Sequence, residues 1–263
     1  MGNLFKIGRI FYGVAIAEIG LQAIYYHDFP YIVPIPKSFG ATGLIILAII
    51  FGVLFILAGT CIVFEKKIRQ ISLLFGSVLL LVFCFYYTPY EFIVSTNYMH
   101  FGDWENAAKE LALAGGAFVV AGCYPGKNES SLTRFLEKLI PFGAALFPIT
   151  IISFSMDHFL YAKEAQGYVP SWIPDHLFWM YFAGVALLGS GIAIILKIKT
   201  GLIAALLGAM IFIWFISLHI PRVIASPVAD LGGEVTSAIL ALAYSGTAFV
   251  IAGTATKASK LSD

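Results

Sequence analysis

The sequence predicts an all-α membrane protein with eight transmembrane helices, arranged as two parallel pseudo-symmetric four-helix repeats. Three observations predict it. The 263 residues are 60% hydrophobic and only 12% charged, whereas a soluble chain carries about 25% charged residues. Twelve of the sixteen Lys and Arg residues fall on one side of the apolar stretches, the asymmetry that marks a cytoplasmic face. The chain also repeats itself at a spacing of 132 residues.

A span needs about 20 mostly apolar residues to cross roughly 30 Å of hydrocarbon, and it must be helical because lipid offers the backbone no hydrogen-bond partners. The first predicted span, 6–26, follows the basic segment Met1 to Arg9. No small-residue cleavage site comes after it, so it reads as a retained span and not a removed signal. Pro30, Pro34 and Pro36 break the chain before the second span, 41–64. Lys66, Lys67 and Arg69 precede the third, 68–88. The fourth, 105–124, opens with Glu105 and Lys109, which pair on one helix face at a spacing of four. The loop before it carries Glu91, His100 and Asp103 and reads as a solvated acidic rim. Residues 128–138 look like a short capped amphipathic lead-in to the fifth span, 139–161. Pro170 and Pro174 separate that span from the sixth, 175–197, and the seventh and eighth are 200–221 and 235–256.

An even number of spans places both termini on the basic, cytoplasmic side. Lys37, Lys109, Lys163 and Arg222 are the basic residues left on the other side. All five histidines, His27, His100, His158, His176 and His219, lie at that outward end, as do most of the tyrosines, among them Tyr25, Tyr31, Tyr90, Tyr98 and Tyr168. An aromatic belt accounts for such tyrosines, and so does a stacking pocket for a planar or lipid-like ligand.

The repeat aligns residues 52–89 with 184–221 without a gap, and ten of 38 positions match, including Gly52/Gly184, Gly59/Gly191, Lys67/Lys199, Gly76/Gly208 and Pro89/Pro221. Residues 111–122 match 242–253 at eight of twelve positions. The predicted organisation is a first unit at 1–125, a cytoplasmic linker at 126–138 and a second unit at 139–263. Four spans per unit give the two units the same orientation, related by an axis along the membrane normal.

Several residues carry candidate chemistry. Glu18 lies near the middle of the first span, where an ionisable side chain is costly and a role in proton transfer or ligand binding competes with a polar clasp between helices. Gln22 follows one turn outward. Asp157, His158 and His219 stand at outer helix ends with Arg222 just beyond, and a neutral imidazole there can donate or accept a proton. His27, Trp104, Trp172 and His176 are weaker candidates. No histidine spacing suits a metal. Cys61, Cys84 and Cys123 are scattered and form no CxxC pair. Net charge is +1, which excludes a field that gathers nucleic acid. No phosphate-binding loop, GxSxG or HExxH occurs, so nucleotide binding and hydrolysis are not expected.

The second unit reads Asp157-His158-Phe159-Leu160-Tyr161, then Val169-Pro170-Ser171-Trp172-Ile173-Pro174, then Leu218-His219-Ile220-Pro221-Arg222-Val223, and Thr236-Ser237-Ala238 before the last span. This resembles the DoxX-like family of small four-helix bacterial membrane proteins, present as two fused copies. The first unit keeps Gly20-Leu21-Gln22, Val33-Pro34-Ile35-Pro36 and Trp104. It departs at Tyr87-Thr88, where the second unit has His-Ile, and at Tyr90, where the second has Arg222. The resemblance implies a multi-pass protein of the bacterial cytoplasmic membrane associated with electron transfer. It implies quinone as the cofactor-like ligand, membrane lipid as its surroundings, and a periplasmic or membrane redox partner. The expected function is a redox-associated subunit that binds quinone or another lipophilic ligand near the outward face, lined by Glu18, Gln22, Asp157, His158 and His219, with no catalytic group identified on the chain. A non-catalytic cargo, lipid-binding or assembly factor and a small-solute transporter are the alternatives.

Overall fold

A computed structural model describes residues 2–33, 41–95, 99, 101–126, 130–228 and 232–259, with backbone alone at 102, 103 and 256–259. Pro34, Pro36, Lys37, Tyr98, His100, Lys127 and Lys260 lie outside the described residues. The helices are α1 (Asn3–Tyr26), α2 (Ala41–Val63), α3 (Ile68–Val82), α4 (Thr88–Ile93), α5 (Phe101–Gly122) and α6 (Ser131–Leu136). They continue with α7 (Ile140–Leu160), α8 (Ala162–Ala165), α9 (His176–Ile195), α10 (Thr200–Trp214), α11 (Ile220–Ala225) and α12 (Gly233–Ser259). No strand occurs among the described residues.

Among the described residues, seven helices are long and apolar enough to cross a membrane: Asn3–Tyr26, Ala41–Val63, Ile68–Ile93, Ser131–Leu160, His176–Ile195, Thr200–Ala225 and Gly233–Ala255. The chain is a multi-pass membrane protein. The sequence predicts an eighth span over 105–124, and α5 occupies that stretch with 22 residues. Its first turns carry Glu105, Lys109 and Glu110, and these charges separate it from the apolar seven.

Packing follows side-chain size. α12 is built mostly of Ala, Gly, Ser, Thr and Val, and 89% of its spanning window is buried. A helix that is mostly small and apolar on every side belongs in the interior. α12 packs on α1, α10 and α5; α5 packs on α7 and α3; α1 and α7 each take one further helix, α2 and α9. The outer helices turn large apolar side chains outward, such as Ile50, Leu54 and Leu57 on α2 and Phe178, Phe182 and Val185 on α9. Lipid solvates these as well as a protein core would.

Glycines set the closest crossings. A Cβ on Gly8 would lie 2.5 Å from the Gly246 carbonyl oxygen, and one on Gly246 would lie 2.6 Å from the Gly8 oxygen. α1 and α12 therefore touch backbone to backbone. α5 and α7 do the same, since a Cβ on Gly143 would lie 2.9 Å from the Gly115 oxygen. On α9, a Cβ on Gly191 would meet Ile152 Cγ1 at 2.6 Å, and on α10 one at Gly208 would meet the Phe249 ring at 2.6 Å. Close approach of this kind holds helices together in lipid by dispersion contacts.

Backbone irregularities recur 132 residues apart. Phe83–Tyr87 and Phe215–His219 are π-helical turns, each just ahead of a proline, Pro89 and Pro221. Proline has no N–H and clashes with the carbonyl four residues back. The widened turn absorbs that clash, and the amides of Thr88 and Ile220 donate instead to the carbonyls of Phe83 and Phe215. Glu65 and Lys197 also share positive φ, as do Lys67 and Lys199.

At the basic end, arginines satisfy helix C-termini, whose last carbonyls have no partner within the helix. Arg9 Nη1 donates to the carbonyls of Ile62 at 2.6 Å and Val63 at 2.5 Å, and its Nη2 is 2.9 Å from Glu65. Arg69 Nη1 donates to Ala121 O at 2.9 Å and to Tyr124 O, while Nη2 meets Glu137 at 2.7 Å. α6, capped by Ser130 Oγ accepting from the Thr133 amide at 3.2 Å, holds that glutamate in place. Arg69→Met should lower the stability of the detergent-solubilised protein by about 1–3 kcal/mol, because it removes the guanidinium's bonds to two carbonyls and to the Glu137 carboxylate. An unchanged thermal midpoint would show that these bonds contribute nothing.

Candidate functional site

A cavity of about 630 Å³ opens among α7, α9, α10 and α12, with α5 closing one side. Its inner wall is apolar: Ile151, Phe154, Met180, Leu187, Ile211 and Leu240. Its other end is polar and lies where α7 ends, where the π turn of Phe215–His219 leads into α11, and where α12 begins. The π turn ends on His219, and Arg222 follows three residues later on α11.

Two cations at this end are tied to carboxylates. Arg222 Nε donates to Glu234 Oε2 at 2.7 Å, its Nη2 bonds Glu234 Oε1, and the guanidinium lies 4.2 Å from the centre of the Tyr168 ring. A two-point pair of this kind fixes the guanidinium plane as well as its charge. Lys109 Nζ is 3.3 Å from Glu105 Oε1, donates to Asn106 Oδ1 at 2.9 Å and sits 4.9 Å over the Tyr31 ring. Tyr31 OH is 3.1 Å from Ser237 Oγ, and Ser237 in turn donates to Gly233 O at 3.1 Å.

The histidines are held differently. His158 Nδ1 bonds the Phe154 carbonyl at 2.8 Å. A carbonyl carries no proton, so Nδ1 must donate, and the Nε2 of the neutral ring is left as an acceptor. The ring stacks on Trp214, with centroids 6.2 Å apart and planes 21° apart. His219 Nδ1 is buried with no hydrogen-bond partner. Asp157 lies beside Glu105, and both of its carboxylate oxygens are buried without a hydrogen bond. Buried polar atoms are nearly always paired, so three orphaned atoms at one cavity mouth single it out.

Asp157, His158, His219 and Arg222, predicted together, all line this cavity. Glu18 and Gln22, predicted to line it with them, do not. Gln22 is buried, and its Nε2 donates to Gly232 O at 2.9 Å and to Thr236 Oγ1 at 2.7 Å. It clasps α1 to α12. Glu18 is exposed on the outside of the bundle, in a separate groove of about 320 Å³ between α1 and α2 lined by Ala17, Leu21, Ile56 and Thr60. Four residues advance about 40° beyond a full helical turn. With Gln22 drawn in against α12, that rotation carries Glu18 round towards α2 and lipid, so the two form no continuous stripe.

Of the weaker candidates, His27 is exposed and ends α1 at φ 54°. Trp104 packs edge-on against Phe92 at 5.1 Å, Trp172 is 72% exposed, and His176 opens α9. None of them lines the cavity. The acidic rim is also revised. Glu91 is buried where solvated surface was expected, while Glu105 and Lys109 pair as their spacing predicts and stand in the cavity wall. Glu234, the partner of Arg222, and Glu110, buried with both oxygens unbonded, were not singled out. The rule for ionisable residues inside apolar helices would have flagged Glu110. No group of three His, Cys, Asp or Glu residues able to hold a metal lies among the described residues.

A scan against protein-family models, a search of curated proteins and a search of solved structures each found no match to this chain.

Proposed function

We propose that the chain is a DoxX-like, redox-associated subunit of the bacterial cytoplasmic membrane, with both termini cytoplasmic, and that its cavity binds quinone or another lipophilic ligand. In this reading α5 is an eighth crossing, and the chain is two fused four-helix units acting with a periplasmic or membrane redox partner. The paired π turns 132 residues apart and the matching contacts support the duplication. α1 takes α2 and α12 as neighbours while α7 takes α9 and α5; α3 lies on α5 while α10 lies on α12.

The cavity carries the ligand assignment. A bilayer-soluble carrier has an apolar body and a polar ring, and binding sites for such molecules are apolar clefts with a few placed polar groups. Here an apolar wall ends in Asp157 and His219, which carry buried atoms without a hydrogen bond in the protein, and the hydroxyls of the reduced head group would satisfy acceptors there. Quinone, when bound, would supply the reversible electron-accepting chemistry that this chain's own side chains lack. The chain's part is to orient it: Asp157, His158 and His219 face the head group, and Arg222–Glu234 and Lys109–Glu105 hold the surrounding field fixed.

Organic extraction of the purified protein, read by mass spectrometry, tests this. Near-stoichiometric quinone is expected, falling several-fold in a His158→Ala/His219→Ala variant that keeps its thermal midpoint. Recovery of a different lipid in the same amount, lost in the same variant, would instead favour the non-catalytic lipid-binding reading. Extracts with no enriched lipophile would remove both.

A further inference from the structure

Around Asp157 and His158 the hydrogen-bonding polarity of the cavity mouth is one-sided. The cations nearby are each tied to a carboxylate in the wall. Lys109 gives protons to Glu105 and Asn106, Arg222 to Glu234, and Ser237 to Gly233 O. With Ser237 already donating, Tyr31 OH must be the donor in its contact with Ser237. The acceptors are open. His158 Nε2 is an acceptor because Nδ1–H is committed to Phe154 O. Both Asp157 oxygens lack a bond; ionised, the group only accepts, and with a proton shared towards Glu105 its second oxygen still accepts. His219 Nδ1 has no partner and in the Nε2–H tautomer accepts as well.

From this we propose that the cavity selects a lipophile whose neutral head group donates hydrogen bonds, a hydroxylated ring, over one that only accepts or one that is anionic. The proposal rests on the reading of this cavity as a lipophilic-ligand site. A hydroxylated head places O–H groups against Asp157 and His158, so its own polar atoms meet acceptors. An acceptor-only head of the same shape sets lone pair against lone pair, and leaving such groups unpaired is what gives a polar site its strongest discrimination. An anionic head meets no unpaired lysine or arginine charge and adds a negative charge beside Asp157 and Glu105.

A matched pair of probes isolates this one difference. Decyl-tailed benzoquinol and the corresponding benzoquinone share size and tail and differ in donor against acceptor oxygens. Their binding to the full chain in nanodiscs, under anaerobic conditions, is read by quenching of tryptophan fluorescence, since Trp214 is part of the wall. The quinol should bind at least tenfold tighter, and oleate should compete weakly or not at all. Asp157→Asn, which keeps the shape and brings two N–H donors, should shrink the preference several-fold by strengthening quinone binding; a fold defect would weaken both probes alike. Equal or tighter binding of the quinone or of oleate would overturn the inference while leaving the ligand-site reading standing. No binding of either ring would end both.

Discussion

Gly246→Leu should leave no correctly folded protein. The α1–α12 crossing places the Gly8 carbonyl oxygen 2.6 Å from where a Cβ on residue 246 would stand, with the Tyr12 amide nitrogen at the same distance. These are backbone atoms on a neighbouring helix, so no rotamer change relieves the clash. Overpacking a core costs about 1–3 kcal/mol when side chains can yield; where two backbones must separate, the cost exceeds what a marginally stable fold can absorb. Size-exclusion of the detergent extract should show aggregate in place of a single peak. Gly189→Leu on α9 is the control, because a Cβ there meets nothing within 4 Å, and it should elute as the parent does. A monodisperse Gly246→Leu protein of unchanged melting would refute the crossing.

Ala241→Phe should abolish ligand binding while preserving the fold. Ala241 is a buried residue of α12 that lines the cavity. A benzyl group there grows into existing space, so the overpacking penalty largely disappears while the room for a guest is removed. The expected readout is a thermal midpoint equal to or above the parent's, together with at least a tenfold loss of bound lipophile on extraction. Retained ligand in a folded Ala241→Phe protein would place the binding site elsewhere.

The helical class was legible because lipid imposes one rule on every backbone group, and long runs such as 41–64 obey it visibly. The stretch 105–124, predicted as the fourth span, was less so. Hydropathy does not distinguish a lysine in water from one held by Glu105, Asn106 and the Tyr31 ring. The candidate site was legible in part. Asp157, His158, His219 and Arg222 were readable as a group because they are polar residues at the ends of neighbouring apolar runs. The Arg222–Glu234 pair was beyond reach, since it bridges two helices across a loop; the Glu105–Lys109 pair was readable from its spacing of four, but not its place in the cavity wall. Gln22 and Glu18 misled for a geometric reason. Period alone puts them on nearly the same face, and only the tight α1–α12 crossing decides which is drawn in. Glu18 thus lies in an outer groove and not in the cavity.

Towards the basic end, Gly191 is pressed on Pro148 and Ile152, and Gly208 on the Phe249 ring, too tightly to admit even a methyl. These contacts close the α7–α9 and α10–α12 seams at that end, so along those two seams an occupant of the proposed site has no route towards the basic side.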